Sequence, residues 1–183
     1  MLIQEIEVIN SELENVIILK PMIVRDYRGQ TLKNYSKIVF KENGINFVPV
    51  ETLIIEGNRG TLRGIHFQRV REIDKLVHCI KGKVWVVVVD LRKRSDTIGK
   101  YVAMQLDETM GIYIPKGYGL GTLSIENSVI ICQCGDYFVR EYDDGIIWDD
   151  KDLNINWPIQ MVDKIFISDK DCNLQSYKEY LEE

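Results

Sequence analysis

KLVHCIKGKVWVVVVDL, residues 75–91, holds two apolar runs of strand length parted by Lys-Gly-Lys. Val, Ile and Trp suit the pleated backbone of a sheet, and a glycine between charged residues marks a turn. The stretch is therefore predicted to form a β-hairpin. Its second arm, VWVVVVDL (84–91), is apolar at odd and even positions alike. That pattern belongs to a strand covered on both faces, by a second sheet or by a partner chain.

The flanking sequence has the same character. VPVETLII (48–55), LRGIHFQ (62–68), GIYIP (111–115) and NSVIICQCGDYF (127–138) are short runs bounded by Gly, Asp and Asn. SKIVFKENG (36–44) reads as a short helix stopped by Gly44, and NLQSYKEYLEE (173–183) as another. No repeat, low-complexity tract or linker interrupts the 183 residues. One domain over 1–183 is predicted, an all-β jelly-roll sandwich or barrel with a few short peripheral helices.

A net charge of −5 and a pI of about 5.2 argue against a nucleic-acid partner. No apolar run is long enough to span a membrane. The opening MLIQEIEVIN lacks the basic and apolar regions of a signal peptide, and the four cysteines fit no disulfide framework. Reduced thiols in the cytoplasm are expected.

His66 and His78 are the only histidines, and they form neither H-x-H nor H-E-x-x-H. The cysteines add C-Q-C (132–134) rather than C-x-x-C, so no metal site is expected. A G-x-S-x-G elbow, a G-x-G-x-x-G turn and a P-loop are all missing, which removes the usual nucleophile, nicotinamide and ATP readings. His78 alternates among apolar neighbours and reads as a core residue. His66 lies in LRGIHFQ, where period-two alternation puts Leu62, Gly64, His66 and Gln68 on one face and Arg63 and Ile65 on the other. A bulge would bring Arg63 to the same side. Spacing alone leaves His66 open between a hydrogen-bonded structural residue and a base.

LRGIHFQ resembles the R-G-L-H-Y-Q signature of the dTDP-4-dehydrorhamnose 3,5-epimerase family. KLVHCIKGKVWVVVVDLRKRSDTIGKY, IPKGYGLG, GDYFVREYDDGIIWDDKDLNINWP and ISDKD resemble further family segments, in the same order over roughly residues 20–172. The resemblance implies a cupin-type jelly roll, usually a homodimer, that uses no cofactor. It also implies action on a nucleotide-linked 4-keto-sugar, in bacterial surface-polysaccharide synthesis.

On this resemblance His66 is the base that takes a proton beside the sugar ketone, and Asp171 orients it. Lys75 faces the carbonyl, where an ammonium stabilises enolate charge. Arg28 and Arg63 match arginines that hold the pyrophosphate; Tyr137 lies by the sugar-nucleotide, and Gln68 and Lys170 are further substrate contacts. Imidazole, with an ordinary pKa near 6.5, suits proton transfer near neutrality.

Departures from the family pattern redirect the reading. The family's acid, a tyrosine four residues before the D-Y-Y aspartate, falls on Cys132, with Cys134 as the alternative if the register differs by two. That change points to inversion at C3, with C5 left open. Leu120 replaces a turn histidine. Lys33 stands where the family carries a carboxylate by the thymine base, which brings in a GDP-linked 4-keto-heptose as substrate. A catalytically silent sugar-nucleotide-binding homologue and a ketoisomerase are the alternatives.

Overall fold

The computed structural model describes residues 6–183. Strands β1 (Glu7–Asn10) and β2 (Ile17–Lys20) precede a hairpin of β3 (Met22–Asp26) and β4 (Gly29–Lys33). Helix α1 (Lys37–Glu42) leads to β5 (Glu51–Gly57), β6 (Leu62–Gln68), β7 (Lys75–Lys81) and β8 (Val84–Asp90). Then come β9 (Tyr101–Leu106), β10 (Gly111–Ile114), β11 (Tyr118–Ser124), β12 (Ser128–Cys134) and β13 (Asp143–Gly145). Two short helices follow, α2 (Asp169–Cys172) and α3 (Tyr177–Glu182).

Antiparallel pairing builds a six-stranded sheet in the order β1-β2-β10-β7-β12-β5, and a five-stranded sheet in the order β13-β6-β11-β8-β9. Apart from β1–β2 and β8–β9, neighbours in each sheet are not consecutive in sequence, as in a jelly roll, and the two sheets face each other. The interface is apolar: Val77, Cys79, Ile112 and Ile130 of the first sheet meet Val84, Val86 and Val88 of the second. None of the described helices is long and apolar enough to cross a membrane.

The predicted hairpin over 75–91 does not form. β7 pairs with β10 and β12, β8 pairs with β9 and β11, and the two strands belong to opposite sheets. Lys81-Gly82-Lys83 is a corner between sheets. Gly82 sits at φ +73°, and a Cβ there would lie 2.2 Å from the Asn127 carbonyl oxygen. Sheet switching lets the apolar arms pack face to face across the core rather than edge to edge.

The two-sided burial predicted for β8 is present, and this chain supplies both covers. Val84, Val86 and Val88 face the first sheet. Val87 and Val89 pack under the C-terminal segment against Ile146, Leu153, Trp157 and Tyr177. Asp150 fastens that segment: its carboxylate accepts from the backbone N–H of Asp152, Leu153 and Tyr177. Helix α1 covers the other face of the first sheet with Val39 and Phe40 and ends at Gly44, φ +75°, as its sequence predicts.

The β3–β4 hairpin pairs only with itself, and its tip residue Tyr27 is 97% exposed.

Candidate active site

A cavity of about 480 Å³ opens between the sheets. Arg63 and His66 line it from β6, Leu120 and Thr122 from β11, Lys75 and Val77 from β7, and Ile130, Cys132 and Cys134 from β12. Edge strand β5 and Phe138 complete the rim.

Arg63 and His66 share this cavity because β6 is bulged. His66 pairs with Leu120 and Arg63 with Thr122, so Gly64 and Ile65 together oppose Gly121. Gly64 takes φ +89°, a conformation that costs a β-carbon residue dearly, and a Cβ there would come within 2.5 Å of the Leu120 carbonyl. The extra residue breaks strict alternation: Leu62, Ile65 and Phe67 face the outer core, while Arg63 and His66 turn inward.

His66 Nε2 lies 3.0 Å from Asp171 Oδ1. Asp171 is 5% exposed and arrives on α2, where Ser168 Oγ caps the helix by accepting from the Asp171 N–H. Its other oxygen accepts from the Gly64 N–H at 3.3 Å, tying the carboxylate to the bulge. Burial works to raise the Asp171 pKa. The hydrogen bond and charge of His66, with those from Gly64 and Ser168, outweigh it and hold the carboxyl below 3.8. An ionised carboxylate only accepts, so Nε2 carries the proton of that hydrogen bond. Nδ1 is buried with no hydrogen-bond partner, and Asp143 Oδ1 stands 3.8 Å away.

Cys132 and Cys134, two residues apart on β12, both line the cavity. Cys134 is paired in register with Lys75, and Cys132 with Val77. Lys75 makes no ion pair among the described residues.

Other sequence-predicted residues lie elsewhere. Gln68 is turned from the cavity, and both ends of its amide are taken by the Val139 backbone. Tyr137 is exposed, with Arg71 over its ring at 5.9 Å, and its neighbour Phe138 lines the cavity instead. Lys170 reaches Asp143 rather than the cavity itself. Arg28 pairs with Asp26 on the projecting hairpin, and Lys33 lies at its other end, both outside the cavity wall. His78 is a core residue, 1% exposed, whose burial lowers its pKa. Asp143 is the residue that sequence reasoning missed. The signal was available, because the family stretch matched by GDYFVREYDDGIIWDD carries an acidic residue at that place.

A base oriented by a carboxylate on one sheet, facing an ammonium and two thiols on the other, is equipped to move a proton beside a carbonyl.

The chain matches a family model described as dTDP-4-dehydrorhamnose 3,5-epimerase over residues 10–179. It is 38% identical to the dTDP-4-dehydrorhamnose 3,5-epimerase of Methanothermobacter thermautotrophicus over 178 residues, 96% of each chain. Its fold superposes on a dTDP-6-deoxy-D-glucose-3,5-epimerase from Legionella pneumophila, solved with dTDP-4-keto-L-rhamnose. The TM-score is 0.88 at 28% identity, covering 94% of this chain and 93% of the other. A 3'-monoepimerase from Streptomyces bikiniensis, in complex with dTDP-quinovose, superposes at TM-score 0.83 and 26% identity, covering 91% and 85%.

Proposed function

The chain belongs to the dTDP-4-dehydrorhamnose 3,5-epimerase family, a family of carbohydrate epimerases, and from that premise we propose that it inverts a nucleotide-linked 4-keto-sugar at C3, and at C5 where the substrate allows. The observation that carries the mechanism is the His66–Asp171 pair, facing Lys75 across one cavity. His66 takes the proton from the carbon next to the C4 ketone, and Asp171 holds the imidazolium that results. Lys75 receives the charge that moves onto the carbonyl oxygen, a contribution of about 3–4 kcal/mol to the barrier. Arg63 at the rim suits the diphosphate. The proton on the opposite face comes from the thiols of β12.

A dTDP-linked 4-keto-6-deoxyhexose is the first substrate, by analogy with the relatives. A GDP-linked 4-keto-heptose is the second, favoured by apolar Leu120 in the cavity wall and by Lys33. The setting we assign is surface-polysaccharide synthesis in the cytoplasm, and all four cysteines are free thiols, which accords with it.

We assign a homodimer as the working unit. The cavity rim is edge strand β5, with Ile54 68% exposed, and the β3–β4 hairpin carries Arg28 away from its own chain's cavity. A second copy's hairpin laid along that edge would bring Arg28 to the nucleotide.

The test is incubation with each substrate in D2O, reduction of the product and mass spectrometry. One deuterium at C3, or one each at C3 and C5, is expected; no uptake from either sugar-nucleotide rejects the proposal in favour of a silent binding homologue. A product with its ketone moved to another carbon would identify a ketoisomerase.

A further inference from the structure

A sugar ring in this cavity presents its faces to different sheets. His66 rises from β6 of the second sheet; Lys75, Cys132 and Cys134 rise from β7 and β12 of the first. Inversion needs an acid opposite the base, and among the described residues no tyrosine lines the cavity. Directly opposed side chains of an antiparallel pair stand about 4.5–5.5 Å apart at Cβ. Register therefore sets the Cys134 thiol beside the Lys75 ammonium and the Cys132 thiol beside apolar Val77. We propose that Cys134, rather than Cys132, delivers the second-face proton, an assignment that rests on the epimerase reading.

The proton inventory balances. His66 takes the hydrogen, the C–H bond breaks, and its electron pair moves through carbon onto the carbonyl oxygen beside Lys75. The enolate pair then returns to carbon and bonds the Cys134 proton on the opposite face. The S–H bond breaks and leaves a thiolate. That thiolate is held by the charge of its register partner Lys75. After product leaves, the imidazolium gives one proton to water and the thiolate takes one back.

Electrostatics divides the labour between the thiols in the same way. The neighbouring Cys132 thiol lowers the Cys134 pKa; burial opposes it, and Lys75 assists. Glu51 and Asp74 are the charged groups that work against ionisation of Cys134. The Cys134 neighbour and burial push the Cys132 thiol well up, so Cys132 keeps its proton.

The experiment compares Cys134→Ala, Cys134→Ser and Cys132→Ala with the wild type, using the dTDP- and GDP-linked 4-keto-sugars in D2O. Both Cys134 variants should lose net inversion by about 100-fold or more. They should still place deuterium at C3 without changing its configuration, because His66 continues to work its own face. The serine variant keeps the side-chain shape, so its result is independent of any packing defect from alanine. Cys132→Ala should retain inversion of the substrate. Inversion by Cys134→Ala at near the wild-type rate overturns the assignment, as does loss of inversion in Cys132→Ala alone. Wild-type enzyme that takes up no deuterium overturns the epimerase reading itself.

Discussion

Lys75 and Cys134 are register partners on adjacent antiparallel strands, and both look across the cavity at His66 on the opposite sheet. The cavity therefore sets an imidazole on one wall against an ammonium and a thiol on the other, all three on sheet strands. Such a site is rigid, and single substitutions should report on single steps.

Replacing Lys75 with Met should lower kcat by about 100-fold to 1000-fold, the equivalent of about 3–4 kcal/mol. KM should change little, since the ammonium acts on charge that develops only on the way to the enolate. Steady-state kinetics on the preferred sugar-nucleotide would show it; a rise in KM at constant kcat would assign Lys75 to binding instead.

His66→Asn should remove deuterium uptake at C3, a loss of about 100-fold to 10,000-fold. Asp171→Asn should leave a measurable residue of exchange, because the ring keeps its place in β6 but loses the acceptor that fixes its tautomer. NMR of the exchanging C3 position separates the two variants.

Asp171 also sets an acid limit to stability. Its folded pKa lies below 3.8, so its ionisation contributes stability that is complete above the unfolded value and lost as pH falls through the folded one. The gap in urea midpoint between wild type and Asp171→Asn should therefore shrink as pH is lowered from about 6 to about 3. A gap that is constant with pH would place the contribution in packing.

Gly64→Ala forces a β-carbon into positive φ and against the Leu120 carbonyl. A cost of at least about 1–3 kcal/mol is expected from the backbone alone. Activity should fall further than stability, since straightening the bulge would turn Arg63 or His66 out of the cavity. Urea denaturation and initial rates on the same preparation test this.

Arg28→Ala should raise KM for the sugar-nucleotide and leave the melting temperature unchanged, because Arg28 is largely exposed on a hairpin that, among the described residues, pairs with no other strand. Light scattering should give twice the chain mass. A monomer with unchanged KM would remove the hairpin from the site.

Local pattern made much of this legible. Apolar runs mark β5, β6, β7, β8, β10 and β12, and Gly44 ends α1 as its position suggests. Which strands pair is a tertiary matter. Lys81-Gly82-Lys83 is as good a hairpin turn as a corner, and only the use of both edges of β7 by β10 and β12 decides it. Leu120, matched to a turn position of the family, lies instead in β11, a central strand of the second sheet. Gly121 is there for space: a Cβ would lie 2.5 Å from Ile65 and 2.8 Å from Trp157. Asp143 stood within a matched family stretch, but its 3.8 Å approach to His66 is visible only in the folded chain.

The C-terminal cover of β8 has a consequence for biosynthesis. His66 and the bulge that turns it inward belong to strands made early, but their carboxylate follows Gly64 by 107 residues. Asp171 can dock only once the segment over Val87 and Val89 has left the ribosome and settled. A nascent chain stalled before that point could close both sheets around an imidazole with nothing to orient it. Proton-transfer competence is thus acquired late, as the last layer of the fold is laid down.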